Sequence, residues 1–315
     1  MIKRFCFAAL ALPLLVTAVS AAETEVTLDR NGTLRGTLLS PGSGPAAPAA
    51  LIIAGSGPTD RNGNSPLGVQ ANSYALLAQA LAAQGITTLR FDKRGIAASA
   101  AAMVAESDLR IQTYSDDAKA WAESLHADAH TDCVWLIGHS EGALLAEMVA
   151  QDNPHVCGVA LVSGAGRKAG DLLRDQLAHA LPDALKQPAL DGIARLEQGQ
   201  TVDNPPPALM SLFRPSVQPY MISWLALDPA ALIAKLRQPV LILQGDNDIQ
   251  IAVDDARKLT AARPNARLVI LPGVNHVLKI APADRPGNLA TYANPALPLA
   301  PGIADAIAGF MKEHK

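Results

Sequence analysis

The chain has 315 residues, of which 49% are hydrophobic and only 4% aromatic, and its formal net charge is −3. That length can bury one large α/β core, or one core carrying an insertion. Lysine and arginine form no block, which argues against a nucleic-acid partner, because phosphate binding needs clustered cations.

The chain opens on "MIKRFCFAALALPLLVTAVSAAETE": Lys3 and Arg4, an apolar run, then small residues around Ser20-Ala21-Ala22. This is the layout of a secretory signal peptide over residues 1–22, with cleavage expected after Ala21 or Ala22. The apolar run is short for a membrane span, so no span is expected once the signal is removed. Cys6 precedes the apolar run and is not placed as a lipid-anchor cysteine. The expected destination is the periplasm or the medium. Two cysteines remain, Cys133 and Cys157. An oxidising compartment permits a disulfide between them, but their neighbours "CVWLIG" and "CGVALVSG" suggest rather two small buried residues at strand starts.

"EVTLDRNGTLRGTLLS" alternates around Asn31-Gly32, which predicts two antiparallel strands joined by a tight turn. "ALIIAG" is short and apolar throughout, as a strand buried on both faces requires. The long loop "SGPTDRNGNSPLGVQ" follows, then a helix near Asn72 to Gln84 and the strand "GITTLRF". The loop "DKRGIAAS" leads to a helix near Tyr114 to Ala127. The strand "CVWLIG", a helix from Ser140 and the strand "CGVALVSG" come next. From Arg167 to about Leu236 the text is helical and broken by prolines, with no strand-like run. The strand "PVLILQG", a helix near Asp254 to Ala262, the strand "ARLVILPG" and a helix near Ile303 to Lys312 complete the chain. Alternating strands and helices predict an α/β fold with a mostly parallel central sheet and helices on both faces. The expected organisation is a core over residues 23–166 and 238–315, with a helical lid inserted at 167–237.

One pentapeptide carries chemistry. Gly138-His139-Ser140-Glu141-Gly142 stands where a buried strand meets a helix. A serine hydroxyl needs a base to take its proton, and it must stand clear of its own backbone. Gly-x-Ser-x-Gly at a strand-to-helix turn meets the second need, and the helix N-terminus directs its dipole toward the site. The base is expected downstream. His276, in "LPGVNHVLK", follows the last strand, where open α/β sheets form their sites, whereas His314 lies at the chain end. For the acid, "LILQGDNDIQI" offers Asp246 and Asp248. Asp248 stands further out in the loop and is favoured, while Asp246 suits a local bond to the turn backbone.

The order Ser140, Asp248, His276 and the helical insertion before the acid's strand resemble the α/β-hydrolase family, over nearly the whole mature chain. The stretches "AGSGPTDRNGN", "FDKRGIAAS", "GHSEG", "LILQGDNDIQI" and "NHVLK" are similar to exported bacterial serine hydrolases of the esterase and serine-aminopeptidase branches. The resemblance places the acid three residues past Gly245, at Asp248. It implies that the Glu141 N–H is one oxyanion donor, and that the second comes from the loop after "ALIIAG". The family's His-Gly-x-Gly stands here as Ala54-Gly55-Ser56-Gly57, without the histidine; Ser56 N–H is the first choice and Gly57 the second. "FDKRGIAAS" departs as well, with Ala97 where a glycine is common. That loop reads as structural, braced by Asp92 and Arg94.

The expected reaction is ester hydrolysis through an acyl-serine, with a small-molecule ester as partner and no metal or organic cofactor. Leu212, Phe213, Tyr220, Met221 and Trp224 of the insertion are candidates for an acyl pocket, or for packing of the lid. Phe213, Tyr220 and Trp224 are the substrate-binding residues favoured. A serine aminopeptidase is the rival enzyme. It would need a buried carboxylate for the substrate amine, for which Glu141 and the insertion's acids are candidates. A thioesterase fits export less well, and a hydrolase-like binding protein is the rival without catalysis.

Overall fold

Chain segments with no polar face have to be covered on both sides, and the strands of this protein are laid out accordingly. The computed structural model describes residues 21–42, 47–129 and 131–314. The expected signal segment lies outside the described residues, apart from Ala21 and Ala22. β1 (Ala22–Asp29) and β2 (Thr33–Ser40) pair antiparallel, with Asp29 opposite Thr33. Arg30, Asn31 and Gly32 make the connection, and Asn31 and Gly32 take positive φ values of 49° and 110°.

β3 (Ala49–Ile53) follows. The expected long loop holds a small hairpin of its own, β4 (Asn64–Ser65) and β5 (Val69–Gln70), apart from the main sheet. Then come α1 (Ser73–Ala82), β6 (Thr87–Phe91), α2 (Ile111–Ala129), β7 (Val134–His139), α3 (Glu141–Ala150) and β8 (Val156–Val162). The insertion supplies α4 (Ala169–Ala180), α5 (Asp183–Glu197), α6 (Met210–Phe213), α7 (Gln218–Leu225) and α8 (Pro229–Ile233). β9 (Val240–Gly245), α9 (Val253–Ala262), β10 (Arg267–Leu271), α10 (Arg285–Ala290) and α11 (Ile303–Glu313) end the chain. No helix among the described residues is long and apolar enough to cross a membrane.

The eight-stranded sheet runs β1-β2-β6-β3-β7-β8-β9-β10. All neighbours from β6 to β10 are parallel, and β2 joins β6 antiparallel. Side chains alternate between the two faces, as the strand period requires. Leu51, Ile53, Leu136 and Leu161 meet α2, α3 and α9 on one face. Ala50, Ile52, Ile137 and Val162 meet α1 and α11 on the other. The insertion has a core of its own, in which Leu173, Ile193, Leu196, Phe213 and Leu225 pack together.

Strand order reverses at β3. The chain leaves β3 for β6 on one side, then crosses to β7 on the other. Such a switch opens a crevice at the carboxyl ends of the two strands beside it. Here those ends carry Ala54-Gly55-Ser56-Gly57 and Ser140.

The Cys133–Cys157 disulfide is formed and staples the starts of β7 and β8, at the opposite end of the strands from that crevice. α10 lies in a stretch for which the sequence predicts no element. Its markers are an N-cap Asp284, whose side chain accepts from Gly287 N–H, and a proline in the first turn.

Candidate active site

Ser140 occupies the single residue between β7 and α3, at φ 55° and ψ −120°. Only a turn forced by its neighbours holds a non-glycine residue there. The force comes from close contact. A Cβ on Gly142 would lie 2.2 Å from the Ile53 carbonyl oxygen, and one on Gly138 would lie 2.1 Å from that of Gly142. The two glycines let α3 pack directly onto the end of β3. Ser140 is thereby brought beside the loop that β3 feeds.

β9 and β10 bring the other two side chains. Asp248 follows β9 and His276 follows β10. His276 Nδ1 donates to Asp248 Oδ2 at 2.8 Å. Asp248 Oδ1 accepts from the N–H groups of Gln250 (2.8 Å) and Ile251 (3.0 Å). Its carboxylate is fully buried. Burial pushes its pKa up, but the His276 charge and these hydrogen bonds outweigh that and hold it below the usual carboxylate range. Asp246 is exposed and accepts from Gly273 N–H at 2.7 Å, which ties the ends of β9 and β10 together. His276 Nε2 and the Ser140 hydroxyl make no hydrogen bond among the described residues, and both groups line one cavity of about 230 Å³.

A hydrogen-bonded chain runs beneath. His139 Nε2 lies 2.8 Å from the carbonyl oxygen of His276, which can only accept, so Nε2 carries the proton. His139 Nδ1 therefore accepts, from Tyr74 Oη at 2.8 Å, and Tyr74 Oη accepts from Gly55 N–H at 3.0 Å. Burial, and then the neighbouring His276, push the His139 pKa down to about 3, so the ring stays neutral as this chain requires.

A second cavity, of about 540 Å³, opens from Ser140 under the insertion. Leu144, Leu173, Leu212, Met221, Tyr220 and Trp224 line it, together with Ser56 and Glu141. Phe213 does not line it, which corrects its candidacy as a substrate-binding residue. Its ring is 1% exposed and packs against Gly192 inside the insertion's own core. Tyr220 has a second engagement, since its hydroxyl donates to Glu141 Oε2 at 2.7 Å. Glu141 is the one carboxylate among the described residues that line this cavity. The lining arginines are paired, Arg167 with Asp175 and Asp255, and Arg214 with Glu106. Asp92 and Arg94 brace their loop, Asp92 against Arg61 and the Ala98 N–H, Arg94 against Asp117. Ala97 holds a left-handed φ of 44°. Sequence reasoning did not single out Lys93, Tyr74 or His139. His139 stands beside Gly138 at the end of β7 and Lys93 just past the end of β6, whereas Tyr74, in the first turn of α1, carries no such signal.

The Abhydrolase_6 family model, described as the alpha/beta hydrolase family, matches residues 50–291. Esterase EstD of Thermotoga maritima is 27% identical over 272 residues, which cover 85% of this chain and 62% of that protein. The chain thus spans less than two thirds of that relative's length. Among solved structures, a thermophilic esterase from Thermogutta terrifontis superposes with a TM-score of 0.56 at 16% identity, over 94% of this chain and all of that one. Proline iminopeptidase from Mycobacterium smegmatis gives the same TM-score, 0.56, at 15% identity, covering 92% of this chain and 98% of that one. At these identities the likeness is one of fold, and an esterase and a peptidase share it equally. With a family match over most of its length and a serine between β7 and α3 at the sheet's switch point, the chain belongs to the alpha/beta hydrolase family.

Proposed function

We propose that this protein is an exported carboxylesterase that hydrolyses short to medium acyl esters through Ser140, His276 and Asp248. His276 takes the Ser140 proton as Oγ attacks the substrate carbonyl. Asp248 orients the imidazole and stabilises its charged form. The N–H groups of Ser56 and Glu141 receive the developing oxyanion, each worth about 3 kcal/mol to the transition state. The alcohol leaves, and water attacks the acyl-Ser140 with His276 again as base. The apolar cavity under the insertion takes the acyl chain, with Tyr220 and Trp224 in its wall.

The observation that carries the choice of ester over aminoacyl amide is the state of Glu141. An aminopeptidase needs a carboxylate free to hold the substrate ammonium. Glu141 Oε2 is taken by Tyr220 Oη, and Lys93 Nζ stands 3.7 Å from Oε1. Oε1 makes no hydrogen bond, but its charge is balanced by Lys93, so among the described lining residues an ammonium would meet one carboxylate already paired and two arginines. Export is supported by the layout of residues 1–22 and by the disulfide, a bond that persists in oxidising compartments. The mature N-terminus, read by Edman sequencing from an exporting host, is expected at Ala22 or Glu23.

The decisive experiment uses the mature protein. A fluorophosphonate probe should label Ser140, and Ser140→Ala should abolish labelling and turnover while leaving the fold intact. A p-nitrophenyl short-chain ester should exceed an aminoacyl p-nitroanilide in kcat/KM, corrected for intrinsic reactivity. A corrected preference for the anilide would make the protein a peptidase. Absence of labelling would make it a binding protein.

A further inference from the structure

We propose that Lys93 is a positioning residue: through the Gly55 carbonyl it holds the Gly55–Ser56 peptide so that Ser56 N–H faces the reacting carbonyl. The inference rests on the serine-esterase reading above. Lys93 stands two residues past the end of β6 and is 2% exposed. Its Nζ donates to Gly55 O at 2.6 Å, a short, charge-assisted contact. No peptide among the described residues is cis, so the Ser56 N–H points opposite to the Gly55 carbonyl. Lys93 on one side of this peptide thus fixes where the N–H aims on the other. Ser56 N–H makes no hydrogen bond among the described residues, and Ser56 lines both cavities that meet at Ser140. A Cβ on Gly55 would stand 3.2 Å from Ser140 Cβ, so the peptide adjoins the nucleophile.

The other partners of Lys93 belong to the same site. Glu141, whose own N–H is the second proposed oxyanion donor, places Oε1 3.7 Å from Nζ. The face of Tyr114 lies 5.2 Å from Nζ. The carbonyl is nearer than the carboxylate by over 1 Å, which makes it the primary partner and Glu141 the counter-charge. Gly55 is held at its other end by Tyr74 Oη. A cation on a peptide oxygen also draws electron density from the N–H, which strengthens that donor. The benefit grows as the oxyanion forms, so it belongs to kcat and not to KM.

The test compares Lys93→Met with the parent protein. Expected are a 10- to 100-fold fall in kcat, a KM within about threefold, and an equal fall in affinity for an alkyl boronic acid, whose Ser140 adduct carries a negative tetrahedral centre. Binding of the carboxylic acid product should not change. A kcat unaltered by the substitution would overturn the inference. So would a lower kcat with full boronate affinity, the mark of a merely structural residue. Lys93→Met/Glu141→Gln, which leaves no buried charge unpaired, should show the same pattern. Should neither variant fold, 15N-lysine NMR of the parent decides. The Lys93 Nζ signal should move on boronate addition while that of buried Lys279 does not, and an unmoved Lys93 signal overturns the idea. The esterase reading is tested separately, by labelling and turnover of the parent. If the parent does neither, both readings fall together.

Discussion

Gly142→Ala tests whether the contact between α3 and β3 places the nucleophile. The added methyl would sit 2.2 Å from Ile53 O, 2.7 Å from Ala54 O and 2.8 Å from Ile53 C, all of them backbone atoms. Carbon and oxygen settle at roughly 3.3 Å or more, so α3 and the end of β3 must part by about 1 Å. β3 leads into the Ser56 loop and Ser140 directly precedes α3, which begins at Glu141, so the displacement falls between the nucleophile and one of its donors. A misplacement of about 1 Å at a reacting centre costs about 100-fold in rate. Overpacking of this kind costs about 1–3 kcal/mol of stability. Gly309→Ala in α11 is the control, since its methyl meets nothing within 4 Å. There the lost backbone freedom of the unfolded chain should stabilise by about 0.5–1 kcal/mol, with kcat/KM unchanged. Urea denaturation and p-nitrophenyl ester turnover of both variants complete the test. A Gly142→Ala protein as stable as its parent and more than half as active would refute the claim that this contact positions Ser140.

Asp248→Asn should cut kcat by about four orders of magnitude by fixing the wrong tautomer of His276, while Asp246→Asn, which loses one turn contact, should stay within about tenfold; steady-state kinetics of both variants compare them. Opening the 24-residue disulfide separation in Cys133→Ser/Cys157→Ser should cost about 3 kcal/mol in urea denaturation. Turnover of that variant at 25 °C should be unaffected, because the bridge lies at the amino ends of β7 and β8, away from the crevice at their carboxyl ends. Stability should fall in acid partly through His139. Its folded pKa of about 3 lies below the ordinary 6.5, so between those values the unfolded chain binds a proton that the folded chain refuses. The contribution is complete above pH 6.5 and drains away as pH falls toward 3, at up to about 1.4 kcal/mol per pH unit. His139→Gln should flatten the dependence of the urea midpoint on pH between 7 and 4, and parallel curves would assign acid sensitivity to the carboxylates alone.

The strands were legible because a segment buried on both faces must be apolar throughout, as "ALIIAG" and "PVLILQG" are. The turn at Ser140 was legible because its glycines answer a local need. Asp248 could be ranked over Asp246 by its distance past Gly245, and the structure sets it against His276. What escaped depends on partners distant in sequence. Lys93 contacts Gly55 across 38 residues, and Tyr74 contacts His139 across 65. No local pattern encodes such pairs. Phe213 escaped for another reason. On a short helix, an aromatic turned into the insertion's core and one turned into the cavity look alike in sequence, and only the groove left by Gly192 separates them. The disulfide depended on the spacing of β7 and β8, which the text around either cysteine does not specify.

The backbone of Ser140 holds a conformation that costs a serine about 1–3 kcal/mol and a glycine little. That free energy is withheld from the stability of the native state and spent on presenting a hydroxyl. Heat resistance and turnover therefore pull in opposite directions at this residue. A directed-evolution screen that rewards only survival at high temperature would drift toward glycine here, and its most durable clones would be inert.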